Sequence, residues 1–297
     1  MDSIILIDAY SQISRLFYAL PMLNNSRGEP VNALMGMTRL LLTLDKTMPS
    51  AYGAVAFDKG RPPQRMELCP EYKANRPQMP LELRSQIPAI QTIIGLFGWN
   101  LLIQEGLEAD DIIAAVARRR GDSDVLVLTS DKDIAQLTAD PHIKMLSPLK
   151  GDAWDIKGAE AVTAKFGVGP ELLGDYLALV GDSSDNIIGV PGVGPKTAAA
   201  ILNNYGPLEG ILSDSSAIAK DAKLAAKIEG NRELIERNRR LVRLCDQVPD
   251  SWSGLDSIRR KDPDWSAILA FAEDNSFKSI IATIKKRREE SAQPSFF

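Results

Sequence analysis

The sequence predicts an α/β protein built on a mostly parallel central sheet with helices on both faces, joined to a smaller helical domain. Residues 4–7, 52–57 and 125–129 are short, continuous apolar runs, as expected of parallel strands that are covered on both faces. Beyond about residue 165 such runs stop, and helical segments joined by short glycine-containing turns follow. A chain of 297 residues with 44% hydrophobic residues is long and apolar enough for two packed domains.

The segments between these runs predict the other elements of the first domain. Residues 32–48 carry apolar side chains at helical spacing and predict a core-facing helix between the first two strands. Residues 83–97 predict a second amphipathic helix, and residues 99–104 predict a further strand. Residues 11–20 fit a helix or a loop equally well.

The change of character near residue 165 sets the domain boundaries. We expect an α/β catalytic domain at residues 1–165 and a helical domain at residues 166–285, with the segment at 265–284 completing the smaller domain. Residues 286–297 are charged and poorly apolar, and they predict a disordered C-terminal tail.

Acidic residues follow the apolar runs. Asp8 and Asp58 come directly after the first two runs, and Asp131 and Asp133 come shortly after the third. The carboxyl ends of parallel strands meet at one edge of a sheet, where sites form in open α/β folds. We therefore expect these four carboxylates to belong to one site.

A second acidic feature is the first turn of a predicted buried helix, which holds Glu108, Asp110 and Asp111. One or two acids there complement the helix dipole, so capping alone is an alternative explanation. Three acids within four residues also repel one another, however. Together with Asp182 and Asp185, which lie in a later loop, they indicate convergence on the site at the strand ends.

Electrostatics decides what nine such carboxylates can do. Two like charges about 4 Å apart repel by about 4 kcal/mol at an effective dielectric near 20, so the cluster requires cations. All-oxygen ligation suits Mg²⁺ or Mn²⁺, whereas one histidine, His142, and two distant cysteines, Cys69 and Cys245, make zinc a poor choice. We expect His142 to be a surface or packing residue.

Composition limits the class of protein further. The N-terminus has no basic region followed by a long apolar stretch, no run reaches transmembrane length, and two cysteines give no disulfide framework, so we expect a cytoplasmic protein without a membrane partner. The net charge of −4 becomes +5 once the nine acids are set aside. A positive face for nucleic acid is therefore compatible with the acidic composition.

A long, proline-rich connection at about residues 60–80 has little regular pattern, which is uncommon inside a compact domain unless the loop is functional. From residue 59 to residue 84 it holds six Lys or Arg residues against three acids. Tyr72, Lys73 and Arg76 place an aromatic ring beside two cations, which suits base stacking and phosphate neutralisation. A solvated loop is the alternative.

Residues 186–204 resemble a helix-hairpin-helix. Gly192 and Gly194 are expected to supply the tight turn, and the following proline fits the first position of a helix, which leaves backbone N–H groups facing outward. Lys196 and Thr197 lie beside this phosphate site. A mononucleotide P-loop fails on spacing, and a purely structural turn remains the alternative.

These motifs give the chain a resemblance to the 5′-nucleases of the flap endonuclease superfamily. It is most similar to the 5′→3′ exonuclease domain of bacterial DNA polymerase I, over residues 3 to 285. The resemblance rests on the blocks at residues 108–111, 129–133 and 181–198. It implies a PIN-like nuclease core. The first motif, residues 8–12, is less typical of the family, which puts contacts made by residues 9–12 in doubt.

The resemblance also implies roles for individual residues. One ion of a Mg²⁺ or Mn²⁺ pair would be held mainly by Asp8, Asp58, Glu108, Asp110 and Asp111, and the other mainly by Asp131, Asp133, Asp182 and Asp185. Residues 72–76 fall where the family has its helical arch, and Arg15 matches a basic residue of the first motif. The family hairpin also holds a monovalent cation, usually potassium.

The function that these features predict is metal-dependent, structure-specific hydrolysis of DNA at a 5′ end, nick or 5′ flap in replication and repair. Asp110 and Asp131 are the carboxylates expected to matter most, with Lys73 and Arg76 stabilising the scissile phosphate. A single-strand ribonuclease and a branched-DNA binding protein with a vestigial metal site are the alternatives. We expect a monomer.

The C-terminal pentapeptide at residues 293–297 contains Gln293, Phe296 and Phe297. It is similar to the short peptides by which replication and repair enzymes dock on the sliding clamp. Exposed phenylalanines are costly, at roughly 1.5 to 3 kcal/mol for each ring that could be buried. Folding of both rings back onto the protein is the alternative.

Overall fold

The computed structural model describes residues 3–214, 218 and 221–292, with side chains described as far as residue 287. The strands are β1 (Ile4–Asp8), β2 (Tyr52–Phe57), β3 (Asn100–Ile103), β4 (Val125–Leu128), β5 (Ile143–Pro148), β6 (Trp154–Lys157), β7 (Gly181–Asp182) and β8 (Ile187–Ile188). The helices of the first half are α1 (Ala9–Ala19), α2 (Asn32–Thr47), α3 (Pro63–Leu68), α4 (Leu81–Arg84), α5 (Ile87–Leu96), α6 (Ala109–Ala117) and α7 (Ala159–Phe166). Those of the second half are α8 (Leu173–Val180), α9 (Pro195–Tyr205), α10 (Leu208–Ser213), α11 (Ala222–Glu229), α12 (Arg232–Val242), α13 (Trp265–Asp274) and α14 (Lys278–Ala292).

A six-stranded sheet of order β3-β2-β1-β4-β5-β6 forms the centre of the first half. The first five of these strands are parallel, and β6 pairs with β5 in the antiparallel direction. In the register of the central strands, Ile4 lies opposite both Tyr52 and Val125. The carboxyl ends of β1, β2 and β4 therefore lie side by side, as the sequence predicted for a mostly parallel sheet.

The two faces of β1 pack into different cores, which explains why its whole length is apolar. Ile5 and Ile7 face the core formed with α2 and α5, whereas Ile4 and Leu6 face the core formed with α6. All five residues of β1 are buried. Every backbone polar group of such a strand must pair within the sheet, because helices exclude water from both faces.

A third core, formed largely by α8, α9 and α12, organises the segment from about residue 162 to residue 242. A two-stranded antiparallel hairpin of β7 and β8 lies within it, so strand structure does not stop near residue 165 as predicted. Residues 11–20, which fitted either a helix or a loop, belong mainly to α1. The connection at residues 60–80 holds the short helix α3 and is therefore partly regular.

Two expectations for the end of the chain are wrong. Helices α13 and α14 do not complete the smaller domain, because Ile268, Phe277, Ile280 and Ile284 pack into the core shared with α2 and α5. The predicted disorder is also wrong for residues 286–292, since α14 continues to Ala292, and residues 293–297 lie outside the described residues. Within the described part of the chain, no helix combines the length and the apolar character needed to cross a membrane.

Candidate active site

The ends of the parallel strands deliver carboxylates to one edge of the sheet. Asp8 is the last residue of β1 and also caps α1, and its side chain accepts hydrogen bonds from the Ser11 N–H (3.1 Å) and the Thr129 hydroxyl (2.8 Å). Asp58 follows β2 and accepts a hydrogen bond from the Ala109 N–H at the start of α6 (2.6 Å). The strand ends and the first turn of α6 are thereby joined.

Glu108, Asp110 and Asp111 form the first acidic group, in which one oxygen of each carboxylate lies within 4.8 Å of the others. The buried Arg65 guanidinium donates to Glu108 and to both oxygens of Asp111, at 2.6 and 2.9 Å for Asp111. The backbone N–H of Cys245 also donates to Asp111 (2.7 Å). Asp111 therefore binds both Arg65 and the backbone at Cys245. Asp110 is the member of the group that accepts no hydrogen bond from an arginine or lysine among the described residues.

Asp133, Asp182 and Asp185 form the second acidic group, again with ligand oxygens within 4.8 Å of one another. Lys132 donates to Asp182 (2.6 Å), and Arg76 donates to Asp185 (2.6 Å). The Oδ1 atom of Asp133 is buried and has no hydrogen-bond partner within the described ranges of the chain. Asp131 lies beside this group and accepts from the Asp133 N–H (2.9 Å).

Residues 72–76 connect the two acidic groups. The Tyr72 hydroxyl lies within hydrogen-bond distance of Glu108 (3.1 Å) and Asp185 (2.9 Å) and shares its one proton between them, and the Lys73 ammonium contacts the same two carboxylates. The Lys73 N–H and the Asn75 side chain also donate to carbonyl groups of the 182–186 loop. The segment is therefore fixed across the site.

One role predicted for this segment is wrong in this arrangement. The Tyr72 ring is only 3% exposed and packs into the third core, so it presents no face on which a base could stack. The residue instead places its hydroxyl between the acidic groups. The alternative of a solvated loop is wrong for Tyr72 and Lys73, which are buried and half-buried in the site, whereas residues 74–76 are exposed.

Burial and mutual repulsion raise the pKa values of the carboxylates that accept no hydrogen bond from a lysine or arginine among the described residues. Burial, with smaller contributions from Asp58 and Asp131, raises the pKa of Asp8 to about 7. Burial, together with Asp131 and the acids of its own group, raises the pKa of Asp133 to about 8. Burial and Asp111 likewise raise the pKa of Asp110 well above its ordinary value. These groups resist ionisation as long as no cation lies beside them.

The ion-paired carboxylates behave in the opposite way. Burial opposes ionisation of Glu108, but Lys73 and Arg65 outweigh it, and the pKa of Glu108 is lowered. The pKa of Asp182 is also lowered, because hydrogen bonds from Lys132 and Ser184 outweigh its burial. Each acidic group therefore already contains charged carboxylates.

These residues fit a pair of hard divalent ions. Two groups of three carboxylates, each within 4.8 Å, offer the oxygen ligands that Mg²⁺ or Mn²⁺ require. The unpaired buried oxygen of Asp133 is the type of atom that a metal ion would satisfy. Acids alone would repel one another here, so the donor set matches a divalent metal better than a structural cap.

An open cavity of about 600 Å³ lies over the acids. Its lining includes the carboxylates Asp8, Asp58, Asp110 and Asp131 and the cations Lys73, Arg76 and Lys132. Arg15 also lines it, with its guanidinium on the Gln12 side-chain oxygen (2.9 Å), and burial lowers the pKa of Arg15. The cavity thus combines anionic ligands for metal with cations able to meet a phosphate.

The hairpin lies apart from this cavity. Gly192 has a left-handed backbone (φ 71°), and Pro195 is the first residue of α9, both as predicted. Gly194 has an extended backbone (φ −90°), and a Cβ atom there would meet nothing, so the turn does not require a glycine at this position. Lys196 and Thr197 are exposed. His142 is exposed too, as expected, and contacts Asp124.

Sequence reasoning missed two cations of the site. Arg65 counted only as one charge of a basic loop, and Lys132 was not singled out although it separates Asp131 from Asp133. The alternation of acid, base and acid at residues 131–133 is a sequence signal that could have identified Lys132. No local pattern marks Arg65, because its partners lie 43 to 178 residues away in the chain.

The fold and the cavity define an α/β protein with an oxygen-donor metal site at the carboxyl edge of its sheet. Two family models match it: "5'-3' exonuclease, N-terminal resolvase-like domain" over residues 3–167, and "5'-3' exonuclease, C-terminal SAM fold" over residues 168–266. The chain belongs to the 5′-3′ exonuclease family.

Relatives of known name agree with this assignment. The chain is 35% identical to a 5′-3′ exonuclease of Aquifex aeolicus, over 100% of both chains. It is 39% identical to DNA polymerase I of Pseudomonas aeruginosa over 98% of its own length, but it spans only 32% of that polymerase. A solved structure of the bacteriophage T5 flap endonuclease, in a pseudo-enzyme–product complex with DNA and metal ions, is 21% identical, with a TM-score of 0.63 and coverage of 96% of this chain and 98% of that chain. At this identity the likeness concerns the fold.

Proposed function

We propose that this chain is a divalent-metal-dependent 5′ nuclease that acts as a cytoplasmic monomer on DNA with a 5′ flap, nick or 5′ end. The observation that carries the proposal is the pair of acidic groups at one cavity that is lined by both carboxylates and cations. Membership of the 5′-3′ exonuclease family and the DNA and metal ions named for the T5 structure support it.

The proposed chemistry divides between metal ions and the residues of the chain. Two Mg²⁺ or Mn²⁺ ions, when bound, would activate water and stabilise the charges of an in-line displacement. Asp8, Asp110, Asp131 and Asp133 are the ligands with least competition from lysine or arginine. Lys73 and Arg76 are held by Glu108 and Asp185, and a phosphate entering the cavity would compete for both cations.

The test of this proposal is incubation of 5′-labelled DNA substrates with Mg²⁺ present or chelated. A 5′ flap, a nicked duplex and a single-stranded RNA of equal length separate the candidate activities by product length. We expect Mg²⁺-dependent products from the DNA substrates and none from the RNA. Binding of branched DNA without any cleavage would favour the vestigial-site alternative, and preferential cleavage of RNA would favour the ribonuclease.

We further propose that the hairpin binds the duplex part of the substrate through Gly192, Lys196 and Thr197, with a monovalent cation such as K⁺ bound in the hairpin. All three residues are exposed, and Lys196 and Thr197 lie in the first turn of α9, whose N–H groups favour anions. Lys196→Ala should weaken duplex binding and make the slope of log affinity against log salt shallower by about one. The matched control is Lys278→Ala, at an exposed lysine on α14. An unchanged slope would leave the hairpin a structural turn.

A contact with the sliding clamp is a separate proposal. Gln293, Phe296 and Phe297 lie outside the described residues, so it rests on the sequence alone. A labelled peptide covering residues 289–297, titrated with a bacterial clamp, should raise fluorescence anisotropy. No binding up to about 100 μM, roughly −5.5 kcal/mol, would end this proposal.

A further inference from the structure

One face of α1 lines the cavity from the acids to its rim. Ser11, Ser14, Arg15 and Tyr18 recur at helical spacing after Asp8, and all of them line the cavity. Side chains three and four residues apart lie above one another on a helix, so these residues form a stripe. We name Ser11, Ser14, Arg15 and Tyr18 the α1 stripe. It runs outward from the proposed metal site.

Tyr18, at the outer end of the stripe, has the features of a stacking platform. Its side chain is 70% exposed although it is aromatic, while the neighbouring Phe17 is buried. The two rings meet edge to face with centroids 5.1 Å apart, so Phe17 supports the Tyr18 ring from the protein side. The free face of Tyr18 is therefore held at the rim of a cavity that also contains cations.

The other aromatic rings of the site, those of Tyr72 and Tyr10, do not offer an exposed face for stacking. Tyr72 is buried and uses its hydroxyl between the acidic groups. Tyr10 lines the cavity but packs edge to face against Phe57, with centroids 5.7 Å apart. Tyr18 is consequently the exposed aromatic residue among those that line the cavity.

We propose that Tyr18 stacks on one unpaired base of the substrate strand, while Arg15 neutralises a phosphate between that base and the scissile bond. This inference rests on the proposed nuclease function, and it adds a binding position for one base of the substrate. Tyr18 lies ten residues beyond Asp8, which is about 15 Å along the helix axis. A stacked strand advances about 3.4 Å per nucleotide, so the base lies within about four nucleotides of the scissile phosphate.

The experiment combines Tyr18 variants with a series of abasic substrates. Equilibrium binding of a flap substrate is measured in chelator, so that no cleavage occurs, with an abasic nucleotide placed at each of four positions on either side of the scissile phosphate. The variants are Tyr18→Ala and Tyr18→Phe, which keeps the ring. The control is Leu149→Ala, because Leu149 is also exposed but does not line the cavity.

We expect Tyr18→Ala to weaken binding of the intact substrate by about tenfold, as is usual for loss of one base stack, whereas Tyr18→Phe and Leu149→Ala stay within about twofold. At one abasic position, wild type and Tyr18→Ala should bind equally, because the same contact is missing from both. Three outcomes would each overturn the proposal. Tyr18→Ala could weaken binding by the same factor at every abasic position, Tyr18→Phe could weaken binding of the intact substrate as much as Tyr18→Ala does, or Tyr18→Ala could bind the intact substrate as tightly as wild type. Failure of the proposed function is recognised separately, as absence of cleavage by the wild type in Mg²⁺.

Discussion

The two acidic groups have the same design but differ in how their charge is balanced. Each contains two ion-paired carboxylates and one that has no such partner among the described residues, Asp110 in the first group and Asp133 in the second. In the first group the balancing arginine, Arg65, has a side chain only 8% exposed. In the second group Lys132 is 31% and Arg76 is 46% exposed.

The difference shows that a buried arginine, together with the partly buried Lys73, balances the first group, whereas cations that solvent and substrate can reach balance the second. Arg65 also donates to the backbone carbonyls of Leu241 and Arg243, so it joins the acids to the end of α12. Lys132 and Arg76 make fewer such contacts and lie at the cavity. We infer that the first group is preformed, whereas the second rearranges more when its ligands change.

The largest expected effect is on catalysis, from removal of a carboxylate that lines the cavity. Asp110→Asn or Asp131→Asn should lower cleavage by about 10³-fold or more, because the lost charge serves the metal site, while DNA binding should stay within about threefold. Single-turnover cleavage at saturating Mg²⁺ and equilibrium binding are the measurements. Cleavage by either variant within about threefold of wild type would remove the two-metal assignment.

The comparison of Arg65 with Lys132 predicts a difference in stability. Arg65→Ala leaves Glu108 and Asp111 buried without their arginine, and such a break costs about 3–5 kcal/mol. Lys132→Ala should cost less than Arg65→Ala, because Lys132 is 31% exposed and Asp182 keeps its hydrogen bonds from the Ser184 N–H and hydroxyl. Urea denaturation of both variants in chelator measures the two costs. Equal costs would contradict the distinction between the two groups.

The sequence predicted those features of the fold and the site whose physical cause lies in neighbouring residues. Unbroken apolar runs identified the buried parallel strands, and the rule that sites form at strand carboxyl ends brought Asp8, Asp58 and Asp131 to one cavity. The first turn of α6 could be predicted because acids at the start of a helix have a known electrostatic reason.

What the sequence did not predict depends on contacts between distant segments. Arg65 meets the Leu241 carbonyl 176 residues away, and nothing in its neighbourhood distinguishes it from other loop arginines. The packing of α13 and α14 on α2 and α5 is also a long-range choice, because an amphipathic helix does not encode which core receives it. The direction of the Tyr72 ring is a third example, since a tyrosine beside cations fits both stacking and burial.

Lys73 contacts both groups and therefore tests whether they act as one site. Lys73→Ala should slow single-turnover cleavage by about 100-fold, because a charge next to the reacting phosphate is lost, while it weakens equilibrium binding much less. The control is Lys73→Arg, which keeps the charge and should recover part of the rate. Equal losses in rate and binding would make Lys73 only a docking charge.

The smallest expected effect is on stability, and it concerns Asp133 in the metal-free protein. Its ordinary pKa of 3.8 is raised to about 8 by burial and by the neighbouring acids. The folded state thus holds a proton that the unfolded state releases. The associated stability is complete below about pH 4 and is lost as the pH rises towards 8.

In Asp133→Asn the side chain at this position is uncharged at every pH, so the variant does not lose this stability as the pH rises. In chelator, the melting temperature of Asp133→Asn relative to wild type should therefore increase between pH 5 and pH 8, by at least about 3 °C, since about 1 kcal/mol corresponds to about 2–4 °C for a protein of this size. Added Mg²⁺ should reverse the order at pH 8, because ion binding stabilises the wild type more than the variant. Differential scanning fluorimetry at both pH values, with Asp122→Asn as an exposed control, measures the effect. A difference between variant and wild type that does not change with pH would show that Asp133 is already ionised without metal. The second acidic group would then be as fully neutralised by its lysine and arginine partners as the first is by Arg65 and Lys73.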